Sequence, residues 1–413
     1  MSSTTRFKAA WVIPVDRPPF ENGVVEIHDG RITAIRSALP HESCEDLGDV
    51  AVLPGLVNAH THLEFSLVEQ PFQPALPFTD WIRSLVAYRR REFGPHSADT
   101  FVALNIGAIQ AVESGTTLLG EIATLGWGEV ALPTHPPRIV AFRELIGLRP
   151  ETVELQLESA EEWLRLASGN LALPERNVTY GLSPHAPYSV SPELLVRSVE
   201  LAKRFGAPVA MHVAETRDEL EFLANSRGSF VEMLKSFGAW PEGGLPIGRR
   251  TLDVLRVLAD APRALVVHGN YLADDELDFI AARPHMSVVY CPRTHEFFQH
   301  EPHPWRQLLA KGANVALGTD GRGSNPDLSL WNELVFLRER FPDIAPSTLL
   351  QLGTLAGARA LGCEHECGTI TVGKRADLMV VSLNNSARGR DPLEALLSTS
   401  SQVMRTICGG LAS

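Results

Sequence analysis

The chain has 413 residues, with 37 basic and 49 acidic side chains and a formal net charge of −12. Hydrophobic residues make up 44% and charged residues 21%, which excludes a largely disordered protein. The acidic balance argues against a nucleic-acid polymer as partner, because phosphate binding needs clustered Lys and Arg, and it leaves a small-molecule substrate open. Five scattered cysteines (Cys44, Cys291, Cys363, Cys367, Cys408) make no disulfide framework and point to a reducing compartment. No apolar run approaches the ~18 residues of a membrane helix, and no apolar signal core follows Met1. A cytoplasmic protein away from membranes is expected, with a homodimer as its assembly.

In chain order, the first fifty residues hold short β-branched runs at 11–13, 24–27 and 31–35, separated by turns that include Asn22-Gly23 and Asp29-Gly30. From Val52 the pattern becomes strand, loop, helix. Strands are expected over 52–58, 116–121, 138–142, 178–182, 208–212, 264–268, 287–290 and 314–318. Helices are expected over 79–91, 99–113, 151–167, 192–204, 251–259, 274–282, 329–338 and 346–361. Eight alternating units predict an α/β fold of the (β/α)8 barrel type. A doubly wound open sheet would also alternate, but no glycine-rich fingerprint follows the first strand. After Cys367 short strands return at 368–370, 377–381 and 403–407. They are expected to join the N-terminal strands in one small β-domain, so that residues 1–52 and 368–413 flank a barrel at 53–367. Arg89-Arg90-Arg91 reads as the solvated face of a helix.

The strongest chemical signal is Leu53-Pro-Gly-Leu-Val-Asn-Ala-His60-Thr-His62. Side chains two apart in a strand share a side. His60 and His62 therefore present two imidazoles at the carboxyl end of the first barrel strand, where barrel enzymes keep their chemistry. Two crowded imidazoles invite a metal. His185, His212, His268 and Asp320 each sit at or just beyond an expected strand end, so all would converge on one mouth.

On these residues the chain resembles the amidohydrolase superfamily, from the turns before the first strand to Gly368-Thr-Ile-Thr-Val-Gly-Lys-Arg-Ala-Asp-Leu378. The resemblance implies a metal-bearing barrel with a β-sandwich formed by both chain ends. It makes His60, His62, His212 and Asp320 the ligands of one divalent metal, Zn2+ or alternatively Fe2+. It also makes His268 a partner of the bound water and Glu215 the proton shuttle. Members with two metals bridge them through a Lys or Glu ending strand four. Here that strand reads Val178-Thr-Tyr-Gly-Leu-Ser183, which points to the one-metal deaminase and chlorohydrolase branch. Within it, His62-Leu-Glu-Phe-Ser66, Ser183-Pro-His-Ala-Pro-Tyr-Ser189 and Tyr290-Cys-Pro-Arg293 look like the aminodeoxyfutalosine deaminases, which act on an adenine nucleoside.

The chemistry also follows from the residues. Hydrolysing an aromatic C–NH2 needs a hydroxide at neutral pH, which a metal can supply, and an acid for the ring nitrogen and the departing ammonia. Glu215 suits the acid, Asp320 can also accept a proton, and His268 can stabilise developing charge. Substrate contacts are expected from Glu64, Glu121, Arg143, His185 and His295, with Arg143 holding a carboxylate on the substrate. Trp81 and Phe65 are stacking candidates that core packing explains equally well. His295 and His300 are five apart, so they do not share the helix face that a zincin motif needs. Cys363 and Cys367 lack a second pair for a zinc knuckle, and the cytidine-deaminase signature is absent. The competing activities are hydrolysis of a cyclic amide or an aryl chloride, and deamination of guanine. A non-catalytic barrel is disfavoured because every ligand is retained.

Overall fold

The computed structural model describes residues 4–92, 98–124, 126–127, 137–166, 178–383, 391–398 and 400–412. Two sheets organise them. One joins the chain ends, in the order Leu411–Ala412, Val403–Cys408, Leu378–Ser382, Val50–Pro54, Thr4–Val12, Phe20–His28 and Arg31–Ser37, with Glu45–Asp46 beside Thr4–Val12. The ends meet where Val50–Pro54 pairs antiparallel with Leu378–Ser382. The turn between the second and third N-terminal strands is Asp29-Gly30, with φ of 48° and 71°. Those values are what a tight hairpin requires and what these residue types tolerate.

The second sheet is a parallel barrel. Its first seven strands are Leu56–His62, Thr116–Ala123, Arg138–Leu145, Val178–Pro184, Val209–Val213, Ala264–His268 and Met286–Tyr290, each paired to the next. The eighth is split. Asn314–Leu317 pairs with the seventh strand, and Asp320–Gly321 pairs with the first through Asp320–Thr61 and Gly321–His62. These last two rungs close the barrel.

One expected element is divided. The run at 52–58 is not a single strand, because Val50–Pro54 belongs to the terminal sheet and Leu56–His62 to the barrel. The chain passes between them at Gly55, whose N–H donates to the Asp377 carbonyl at 2.9 Å. Every residue from Ala51 to Ser66 is buried, so no change of hydrophobic period marks the crossing. The third and fourth barrel strands also run on to Leu145 and Pro184, beyond the expected ends.

The barrel interior is filled by Val57, Leu118, Val140, Phe142, Leu265 and Val289 among others, and its lower end is plugged by Ala358 and Leu361. A filled interior leaves chemistry only the upper rim. There the helices Phe78–Glu92 and Ser229–Ser236 help to build an aromatic wall that includes Phe78, Trp81, Tyr188 and Phe298. No helix among the described residues is long and apolar enough to cross a membrane.

Gly318, in the gap of the split strand, sits where a Cβ would lie 2.9 Å from both Cβ and O of His60. Backbone cannot yield as a flexible side chain can. Gly318→Ala should therefore cost about 1–3 kcal/mol, the usual range for overpacking. Chemical denaturation should show the loss, and an unchanged midpoint would contradict the close approach.

Candidate metal centre and active site

The first barrel strand delivers His60 and His62 to the rim, and the fifth delivers His212. The break in the eighth brings in Asp320. Thr319 makes the break rigid: its N–H donates to the His60 carbonyl at 3.1 Å and to Asn58 Oδ1 at 3.2 Å, while Asn58 Nδ2 donates to Thr319 Oγ1 at 2.8 Å. Asp320 then takes a left-handed φ of 58°, and at neighbouring strand ends His268 and Ala214 take 67° and 52°. Non-glycine residues pay about 1–3 kcal/mol for such positions, which collect at functional sites.

The result is a tight cluster. Ligand atoms of His60, His62 and His212 lie within 4.8 Å of one another, as do those of His60, His268 and Asp320. Asp320 Oδ1 is 3.5 Å from Nε2 of both His60 and His62, and the Nε2 atoms of His62 and His212 are 3.4 Å apart. Buried polar atoms nearly always find a partner. Yet both ring nitrogens of His60, and Nδ1 of His62, have none among the described residues. Burial, reinforced by neighbouring imidazoles, holds His62 down to about 3 and His212 well below its usual range, so both rings are neutral with lone pairs available. Burial alone would raise the Asp320 carboxyl, but the facing histidines bring it below the ordinary carboxylate range. Three imidazoles and one ionised carboxylate around a common point fit a single divalent ion.

Neighbouring groups aim these ligands. His212 Nδ1 donates to the His185 carbonyl at 2.8 Å, which leaves Nε2 pointing inward. Ser324 Oγ donates to Asp320 Oδ2 at 2.6 Å. Such partners fix ring orientation and ligand basicity.

Glu215 stands beside the cluster, with Oε1 3.4 Å from His268 Nε2. Burial, with like charge on Asp320 and Glu219, pushes its carboxyl well above the usual range. Its backbone is clamped. Glu219, wholly buried, accepts from the N–H groups of Ala214 at 2.7 Å and Glu215 at 3.1 Å, and Asn270 Nδ2 donates to the Glu215 carbonyl at 3.0 Å. Thr216 caps the following helix, Arg217–Asn225, by accepting from the Glu219 N–H. His268 is held similarly, through a 2.7 Å hydrogen bond from His303 Nε2 to its carbonyl.

A cavity of about 300 Å3 opens above the cluster, lined by His62, His212, Glu215, His268 and Asp320 at its floor. That volume lies at the lower end of the range for small-molecule sites. His185 lines it, with Nδ1 2.6 Å from Ser189 Oγ, and Phe65 and Trp81 line it as well.

Several expected substrate contacts fall elsewhere. Arg143 faces away from the cavity, donating to the Thr124 carbonyl at 3.0 Å and to Ser159 Oγ at 3.1 Å on the surrounding helix Pro150–Leu166. The third strand continues past Phe142, so alternation turns Arg143 outward and Glu144 inward. Glu121 is fully buried and its carboxylate accepts the Leu63 N–H at 3.0 and 3.2 Å, which makes it a brace for the turn after His62. His295 donates to the Glu301 carbonyl at 2.8 Å, outside the cavity. Glu64 is buried in an ion pair with Arg89 and does not line the cavity. Arg293 pairs with Asp327 at 2.6 Å and Glu333 at 2.7 Å, behind the eighth strand. No metal-holding cluster forms at Cys363 and Cys367 among the described residues.

Of Arg89-Arg90-Arg91, the second and third are exposed as a solvated face requires, and Arg89 is not. Arg89 and Arg90 line the cavity, and Arg89 reaches both Glu64 and, at 3.3 Å, Glu144. Neither Arg89 nor Glu144 is marked by a local motif. Only strand parity singles out Glu144, once the strand's true end is known.

The family model described as the amidohydrolase family matches residues 51–412. A 5-methylthioadenosine/S-adenosylhomocysteine deaminase of Moorella thermoacetica is 30% identical over 91% of this chain and 85% of its own. An aminodeoxyfutalosine deaminase of Deinococcus radiodurans is 30% identical over 81% of this chain and 78% of its own. Among solved structures, a zinc-bound adenosine deaminase of Xanthomonas campestris superposes with a TM-score of 0.77 at 25% identity, covering 99% of this chain and 92% of that one. The Helicobacter pylori aminofutalosine deaminase shares the fold, with a TM-score of 0.82 at 22% identity and full coverage of both chains.

The donor count gives a measurable expectation of about one divalent ion per chain. His60→Ala and Asp320→Ala should abolish tight binding. Ser324→Ala should weaken it by roughly 10–100-fold, the range for a residue that orients a ligand. Elemental analysis and competition with a chromogenic chelator would measure both. Two tightly held ions per chain would rule out the single-ion cluster.

Proposed function

Since the chain belongs to the amidohydrolase family, we propose that it is a metal-dependent hydrolytic deaminase acting on the 6-amino group of an adenine nucleoside. One observation carries this reading: a Glu215–His268 pair, backbone-clamped on both sides, stands against a four-ligand cluster at the floor of a cavity. The ion is assigned as Zn2+, which suits three imidazoles and a carboxylate, with Fe2+ as the alternative. Held by His60, His62, His212 and Asp320, it would supply hydroxide at neutral pH by lowering the pKa of water from 15.7 to about 7.

The protein's own groups do the rest. Glu215 takes the proton of the attacking water and delivers it to ring nitrogen N1 as C6 becomes tetrahedral. It then carries the proton of the C6 hydroxyl to the amino group, which leaves as ammonia while C6 becomes a carbonyl. His268, kept neutral by burial, hydrogen-bonds the attacking oxygen and steers it toward C6. Asp320 serves as ligand and as acceptor for a proton in transit. Phe65 and Trp81 supply aromatic wall for the purine.

The preferred substrate carries an extension at the 5′ position that ends in a carboxylate, with aminodeoxyfutalosine as the leading candidate. The relatives named for aminodeoxyfutalosine and for S-adenosylhomocysteine support a 5′-extended nucleoside. The cation falls to Arg90 rather than Arg143. Arg90 lines the cavity near the Phe237 ring, 5.6 Å from its centroid, and meets no carboxylate among the described residues.

Two measurements test this. Glu215→Gln should keep its metal and lose ~10²–10⁴-fold in turnover, the range for a general acid–base group; normal turnover would reject the mechanism. A rate comparison on aminodeoxyfutalosine, 5-methylthioadenosine, S-adenosylhomocysteine, adenosine, guanine and a triazine, repeated with Arg90→Ala, tests the substrate. The variant should be impaired only on carboxylate-bearing nucleosides. Activity confined to guanine or the triazine would reject the nucleoside assignment.

A further inference from the structure

Neither the metal cluster nor the acid–base pair uses the charged triad in the cavity wall. Glu64 and Glu144 both pair with Arg89, whose guanidinium spans them. Two buried carboxylates share one cation, so the triad carries a net negative charge away from solvent. Burying an uncompensated charge is costly unless something completes it. Glu64 is fully engaged: both oxygens accept from Arg89, and Thr124 Oγ1 lies 3.5 Å from Oε2. Glu144 is not. Its side chain is 7% exposed, and only Oε2 accepts a hydrogen bond, from Arg89 at 3.3 Å. Among the described residues its second oxygen has no donor, and the residue lines the cavity together with His62 and His185.

We infer that Glu144 is the acceptor for the ribose hydroxyls of the substrate, with Arg89 as the positioning residue that aims it. The inference rests on the adenine-nucleoside reading above and deepens it. Chemistry selects the partner. An ionised carboxylate only accepts hydrogen bonds. The ring nitrogens N1, N3 and N7 of adenine are acceptors too, so the base edge offers Glu144 nothing. The one donor on the base, the 6-amino group, must face the metal cluster and Glu215 to react. A carboxylate on the 5′ arm would be repelled. The 2′- and 3′-hydroxyls are the remaining donors on such a molecule, and a vicinal diol can meet a carboxylate through two O–H groups at once. Placement agrees, because Glu144 lies one residue before the end of the third strand, beside the fourth strand that leads to His185, whereas Glu215 and His268 come from the fifth and sixth.

The consequence is selectivity for ribonucleosides. A hydrogen bond to a charged acceptor is worth about 1.5–3 kcal/mol, or roughly 10–100-fold. The purified metal-loaded enzyme should therefore lose that factor in kcat/KM, mostly through KM, when adenosine is replaced by 2′-deoxyadenosine or 3′-deoxyadenosine. Glu144→Gln should slow adenosine by the factor for two hydroxyl contacts and each deoxynucleoside, which keeps one hydroxyl, by the factor for one, so that the discrimination collapses. A lesion that was merely structural would slow all three alike. Wild-type rates within about 2-fold for the three nucleosides would overturn the inference, since each hydroxyl contact should cost at least tenfold. So would a folded, metal-loaded Glu144→Gln that keeps the wild-type discrimination. Both results leave adenine deamination intact. Failure to deaminate any adenine nucleoside would instead overturn the parent reading and this one with it.

Discussion

Four Lewis bases are forced together in a place water barely reaches. His60, His62, His212 and Asp320 sit within contact range, and three of the imidazole nitrogens have no hydrogen-bond partner among the described residues. Lone pairs do not crowd this way unless something electron-poor is meant to sit among them. Much of the upper rim can be understood as the means of holding that arrangement. The split eighth strand, the left-handed residues at three strand ends and the Asn58–Thr319 tie all oppose the tendency of these groups to move apart. The ~1–3 kcal/mol stored in each left-handed residue is affordable because the barrel beneath is filled with branched and aromatic side chains.

How much of this could be read from the sequence depended on range. His60 and His62 were legible because parity within one strand is a local rule. The convergence with His212, His268 and Asp320 followed from barrel topology, which puts all strand ends on one rim. The fold was legible for the same reason, since eight strand–helix units repeat a local grammar. Legibility failed where a boundary or a distant contact decided the outcome. Arg143 and Glu144 are adjacent, and a strand running three residues longer than expected exchanges which one faces the site. Arg89 looks like a solvated helix charge until it is found paired with Glu64 and Glu144 beside the cavity. Glu121 looks like a site residue until its carboxylate is found on a backbone N–H. The crossing at Gly55 left no trace because both flanking strands are buried.

The site is also asymmetric. One wall holds Glu215 and His268, whose backbones are pinned by Glu219, Asn270 and His303. The other holds Arg89, Glu144 and His185, with Arg90 at the cavity edge. Relatives on this scaffold range from nucleoside deaminases to triazine hydrolases.

The closing seam of the barrel has one more consequence. Its ladder is two rungs long, and the residues forming those rungs, Thr61, His62, Asp320 and Gly321, include two of the four ligands. Circularity of the sheet and occupancy of the centre are therefore coupled. The final seam therefore zips only as His62 and Asp320 are brought into the cluster. Until it does, the first strand presents an unpaired edge, the kind of surface on which neighbouring chains add themselves.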